Sequence, residues 1–126
     1  MRVVIFAVVG TVALAACGAP RSDRSVEQAF APCAVCHTAA PPDTPAGKMR
    51  LVGPPLWGVY GRAAASVEGF AYSKAMREAG LTWDDATLDR YLADPQAALP
   101  RTMMSYAGEP DAAKRAAIIE YLKTLR

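Results

Sequence analysis

Histidine occurs once in the 126 residues, as His37, and cysteine three times, as Cys17, Cys33 and Cys36. A closed zinc site drawn from Cys and His therefore lacks enough ligands. Basic residues are scattered, with no run longer than Lys114-Arg115, and the formal net charge is only +2. Nothing in that distribution calls for nucleic acid. No stretch reaches the roughly 20 apolar residues that a mature membrane-spanning helix needs. Internal repeats are missing, and no segment alternates convincingly as a strand. What remains is one small domain, 52% hydrophobic, with a modest core.

Against that background one stretch stands out, Cys33-Ala34-Val35-Cys36-His37. Two thiols three positions apart on one helical turn point the same way. Each can add across one of two vinyl groups on a single porphyrin edge, and the imidazole that follows lies under the ring. This is the attachment pattern of a c-type haem. Three other readings compete. Half of a zinc site needs two more ligands, which the chain does not supply. A redox dithiol needs a preceding strand and βαβ patterning. A disulfide across two residues closes too small a loop to stabilise much. A covalently held porphyrin also adds an apolar slab to a small core.

The first residues read as a targeting segment. Met1-Arg2 is a short positive region, Val3 to Ala13 is apolar, and Leu14-Ala15-Ala16 brings small residues before a cleavage point. Leu-Ala-Ala-Cys resembles the lipobox of bacterial lipoproteins, which implies an acylated Cys17 as the mature N-terminus. The expected division is a signal peptide over 1–16, an acylated cysteine and polar tether over 17–24, and one domain over 25–126. Cleavage before Cys17 leaves a charge of about +1, too small for strong long-range steering.

The rest reads as helices and long loops. Ser25-Val26-Glu27-Gln28 has the form of a capping box opening a helix with Val26, Ala29 and Phe30 on one face. Phe70 to Ala79 has helical content, stopped by Gly80. Thr82 is the expected N-cap of a helix carrying Leu88, Tyr91 and Leu92, which Pro95 ends. Leu99 to Gly108 is irregular. Pro110-Asp111 opens a last helix with Ile118, Tyr121, Leu122 and Leu125 in a stripe. The fold class is all-α, with loops that need something central to pack on.

With His37 unique, the far side of an iron can take only Met, Lys, Tyr, water or nothing. A thioether favours ferrous iron and raises the potential. Met49, Met76, Met103 and Met104 are the candidates, each by itself as readily a core filler.

From Gly53 onward the chain resembles the class I cytochromes c of the mitochondrial and bacterial c2 type. Gly53-Pro54-Pro55-Leu56-Trp57-Gly58-Val59-Tyr60-Gly61-Arg62 is similar to the family's Gly-Pro-x-Leu-x-Gly-x-x-Gly-Arg. Trp83, Thr87-Leu88 and Tyr91-Leu92 follow its Trp-x-x-x-Thr-Leu-x-x-Tyr-Leu. Pro100-Arg101-Thr102-Met103-Met104-Ser105-Tyr106-Ala107-Gly108 follows Pro-Gly-Thr-Lys-Met-x-Phe-x-Gly, and Tyr121-Leu122-Lys123 matches the last helix. The resemblance covers nearly the whole mature chain.

It implies one haem c on Cys33 and Cys36, with His37 and Met104 as axial ligands. The Pro54 carbonyl then accepts from His37, and Arg62, Tyr72 and Trp83 hold the propionates. Tyr91 and Thr102 lie on the methionine side. The departures are a longer Pro-rich loop after His37, Met76 in place of an asparagine, and Arg101 and Met103 in the methionine loop. The implied activity is one-electron transfer, not catalysis. The implied partners are a bc1-type complex, a terminal oxidase or reductase, or a reaction centre. The implied place is the periplasmic face of a bacterial membrane, reached through lipid on Cys17. A haem subunit of a larger oxidoreductase is the alternative, and a ligand-binding or peroxidase-like haem protein a more remote one.

Overall fold

The computed structural model describes residues 21–126. The expected signal peptide over 1–16 and Cys17 lie outside the described residues. Five α-helices are formed among the described residues: α1 Arg21–Phe30, α2 Lys74–Glu78, α3 Asp85–Ala93, α4 Pro95–Ala98 and α5 Ala112–Thr124. A single 3₁₀ turn, Cys33–Val35, follows α1. Among the described residues there is no strand, only one isolated antiparallel bridge between Ala63 and Thr82. No helix among them is long and apolar enough to cross a membrane.

The core forms where α5 packs on α1 and α3. Ile118, Ile119 and Leu122 are buried from α5, Leu125 from just past its end, Phe30 from α1, and Leu88, Tyr91 and Leu92 from α3. Phe30 and Tyr121 meet with ring centroids 4.6 Å apart, a separation at which aromatic pairs add to area burial. Asp111 caps α5 by accepting from Ala113 and Lys114 N–H groups at 2.8 and 3.3 Å, as its place before the apolar stripe predicts. Gly58 N–H donates to the Leu125 carbonyl at 2.6 Å, tying the loop after Gly53 to the chain's end.

Local signals were overruled at three places. Ser25 sits inside α1, exposed, because the helix is already under way at Arg21. Extending a started helix by one residue costs far less than starting one. That takes residues 21–24 out of the expected tether. Thr82 is not a cap: Trp83 is 8% exposed, and burying it keeps the chain extended, paired with Ala63 and Arg62. Asp84 caps α3 instead. Its carboxylate accepts from Thr87 N–H at 2.8 Å, and its own N–H donates to the Thr87 hydroxyl at 2.8 Å. Pro95 does not merely end α3. It is the first residue of α4, whose cap is the Asp94 carboxylate accepting from Ala97 N–H at 3.0 Å, and proline suits that position.

A surface clamp joins α3, α5 and the loop between Gly53 and Gly61. Lys123 reaches Asp85 at 2.6 Å and Glu120 at 2.8 Å, and its ammonium lies 5.2 Å from the Tyr60 ring centroid. The Tyr60 hydroxyl donates to the same Asp85 carboxylate. The bond from Lys123, and after it that from Tyr60, hold the Asp85 carboxyl below its ordinary value. Lys123 is pushed up, by Asp85 first and Glu120 second. A lowered carboxyl stabilises the fold above the unfolded value of about 3.9 and loses that stabilisation as pH falls further. A raised lysine stabilises below about 10.4 for as long as its carboxylate partners stay ionised. Asp85→Asn is therefore expected to lower Tm at pH 7, with the gap to wild type closing in acid. Thermal melts at pH 7 and pH 3 check this; an equal gap at both would contradict it.

Candidate functional site

The 3₁₀ turn explains how Cys33 and Cys36 come to one side. The Cys33 carbonyl accepts from both Cys36 N–H and His37 N–H, at 3.1 and 3.0 Å, so the chain coils tightly between the thiols. Both are unpaired and half-buried. Burial chiefly pushes the Cys33 thiol above its ordinary pKa; a backbone bond lowers it, and the neighbouring Cys36 raises it again. Among the described residues no cluster of three or more His, Cys, Asp or Glu could hold a metal ion.

His37 is fixed from two sides. Its Nδ1 lies 2.7 Å from the Pro54 carbonyl oxygen. A carbonyl can only accept, so Nδ1 carries the proton and Nε2 keeps its lone pair. A hydrogen bond of this kind orients an imidazole and strengthens it as a ligand. Burial lowers the His37 pKa, against a smaller rise from the Pro54 bond, and favours the neutral ring that can bind iron. Gly53 forms the second wall. Its N–H donates to the Cys36 carbonyl at 2.8 Å, and a Cβ there would sit 2.6 Å from Nδ1 and 2.8 Å from Nε2 of His37. The sequence reading used Gly53 only as part of a motif; this contact gives it a physical role.

On the other side runs the loop from Leu99 to Gly108. Thr102 is buried, and its hydroxyl lies 2.7 Å from that of Tyr91 on α3. The same Thr102 oxygen accepts from Met104 N–H at 3.4 Å. Burial raises the Tyr91 pKa, and the Thr102 bond partly offsets this. Met104 is half-buried and packs against the core, whereas Met103 is 67% exposed. The two adjacent methionines thus differ sharply in exposure. Tyr106, later in this loop, has its pKa raised by burial, by Glu109 and by Cys33, so the loop comes back towards the thiols.

Arg62, Tyr72 and Trp83 are brought together. Trp83 N–H donates to the Arg62 carbonyl at 3.0 Å, and Arg62 and Tyr72 interact electrostatically. The Arg62 guanidinium donates to the Trp57 and Pro55 carbonyls at 2.9 and 3.1 Å, which leaves further N–H donors in its fork. It lines a cleft of about 260 Å³ with Pro55, Trp57, Ser66 and Val67. The Tyr72 hydroxyl accepts from Val67 N–H at 3.3 Å. Trp83 meets Tyr91 at 5.1 Å between centroids, with the ring planes tilted by 53°.

These residues fit a haem held through two thioethers. The thiols share a turn, the imidazole keeps Nε2 free of the Pro54 bond, and Cys33, Leu56, Tyr72, Leu81, Leu99 and Met104 are among the partly buried residues that pack against the core. Similarity to known proteins agrees. A cytochrome c2 of Blastochloris viridis is 38% identical over 123 residues, spanning 98% of this chain and 93% of the relative. Cytochrome c2 iso-2 of Magnetospirillum molischianum is 48% identical over 99 residues, 77% of this chain and 94% of that one. The chain belongs to the class I cytochrome c family. Its fold matches that of cytochrome cH from Methylobacterium extorquens with a TM-score of 0.71 and 42% identity, over 80% of this chain and 96% of that one. No family model matches the sequence.

As a class I cytochrome c, the protein carries one haem c bound through Cys33 and Cys36, and it is an electron carrier rather than an enzyme. The bound haem supplies a one-electron ferric–ferrous couple. The chain's own residues orient the imidazole, line the slot with apolar surface and hold a buried hydroxyl pair beside Met104. Of the expected site residues, Cys33, Cys36, His37 and Pro54 form one wall, Arg62, Tyr72 and Trp83 one group, and Tyr91, Thr102 and Met104 another. Sequence reading missed Gln96, whose side chain touches the methionine loop. An exposed glutamine in a short helix carries no signal that could have revealed it.

Proposed function

We propose that this cytochrome carries single electrons with His37 Nε2 and the Met104 thioether on opposite faces of its iron. The tautomer imposed by Pro54 on His37 is the observation that carries this reading. Filled axial positions suit transfer without substrate binding, and a His/Met pair sets a comparatively high potential. Arg62, Tyr72 and Trp83 hold the propionates, whose burial unpaired would be costly. Redox encounters bury little surface and are short-lived, which suits shuttling from a bc1-type donor to a terminal oxidase, reductase or reaction centre.

The place is the periplasmic face of a bacterial membrane, with Cys17 acylated. One lipid chain gives only marginal attachment, so stable anchoring needs more than one. Cys17→Ser is expected to move the haem protein from the membrane to the soluble periplasmic fraction and to abolish incorporation of an alkyne-tagged fatty acid. Unchanged membrane retention and labelling would remove the anchor from the account. The start of α1 by Arg21 also supports a second reading, a dedicated haem subunit. It leaves only residues 18–20 between an acylated Cys17 and the folded chain, and so little reach. Stable co-purification with a large membrane complex favours the subunit, and its absence favours the shuttle.

A further inference from the structure

We propose that Gln96 is a positioning residue for the sixth ligand, its side-chain amide clamping a strained methionine loop; this rests on Met104 as that ligand. The Gln96 Nε2 donates to the Thr102 carbonyl at 3.1 Å and to the Met104 carbonyl at 3.3 Å. Two carbonyl acceptors can be satisfied only by the NH₂ end, because the flipped amide would set oxygen against oxygen. Both N–H donors of one amide are thus spent on the two residues that bracket the exposed Met103.

The clamp opposes a specific strain. Arg101, next to Thr102, has φ of +67°, in the left-handed region that a side chain with a Cβ disfavours. The family pattern has glycine here, which adopts this conformation freely. The loop is otherwise tied by the Tyr91–Thr102 hydroxyl pair, at 2.7 Å, and by the longer Met104 N–H contact at 3.4 Å. Gln96 has a firm base from which to act. It follows Pro95, the fully buried first residue of α4, and Asp94 caps that helix. Rigid support beneath the ligand loop is what a positioning residue requires.

Losing a hydrogen bond of ordinary strength shifts an opening equilibrium by about two- to ten-fold. In the reduced holoprotein, Gln96→Glu keeps the side-chain size but removes both donors. Its carbon monoxide binding rate is expected to rise by about that factor, with faster hydrogen exchange at the amides of residues 102–105. Arg101→Gly in the same background is expected to return both quantities toward wild type by relieving the strain. Wild-type rates and exchange in Gln96→Glu would overturn the clamp. So would a Gln96→Glu loosening that Arg101→Gly fails to reduce. Met104→Ala serves as the separate control: if it binds carbon monoxide no faster than wild type, the ligand assignment has failed rather than the clamp.

Discussion

Gly53→Ala is expected to cut the yield of covalently loaded holoprotein sharply and to weaken the hold on His37. The added Cβ would lie 2.6 Å from Nδ1 and 2.8 Å from Nε2, inside any tolerable contact. The ring cannot swing aside cheaply. Its Nδ1 is bonded to Pro54 at 2.7 Å, and its backbone N–H is held by the Cys33 carbonyl at 3.0 Å. Nor can Gly53 retreat without breaking its 2.8 Å bond to the Cys36 carbonyl. Overpacking of this kind costs about 1–3 kcal/mol in an ordinary core. Here part of that cost falls on the ligand geometry. Holoprotein yield, reduction potential and Tm read the effect together. Full loading with wild-type potential would show that the imidazole has more freedom than its two bonds imply.

Met104→Ala carries the second large effect. Removing a thioether from iron should drop the potential by an amount on the order of 0.1 V or more, within the ~0.8 V range that axial ligands control. The reduced protein should then bind carbon monoxide readily. Met103→Ala should leave ligation intact, since that side chain is 67% exposed and points its bulk to solvent. Voltammetry of the two variants decides between the methionines. A potential that falls in Met103→Ala and holds in Met104→Ala would reverse the assignment.

Much of this site was legible because covalent chemistry demands a fixed spacing. Cys33, Cys36 and His37 could be found from five consecutive residues, and the structure adds the 3₁₀ turn that gathers them. The Pro54 bond, and the place of Tyr91 and Thr102 on the methionine side, were reached only through family resemblance. The hydroxyl contact between those two came only from the structure, because a backbone acceptor and a hydroxyl contact leave no periodic trace. Helix starts were read less well. Thr82 and Ser25 are good local caps, yet burial of Trp83 and continuation of α1 outweighed them. Capping contributes about 1 kcal/mol, less than burying an indole. The contact of Gln96 with the methionine loop was invisible, since an exposed glutamine in a short helix leaves no pattern. Arg101 was read only as a departure from the family motif, and its positive φ is a backbone geometry that composition does not encode. The proposed anchor at Cys17 rests on sequence pattern alone.

The most direct test of the account is the visible spectrum of the reduced wild-type holoprotein before and after carbon monoxide at neutral pH. No prompt change is the predicted result, because His37 and Met104 hold both axial positions and admit the gas only through rare opening of the methionine loop. A prompt shift would mean an open or weakly held sixth position, and the protein would then be a ligand-binding haem protein rather than a carrier of electrons.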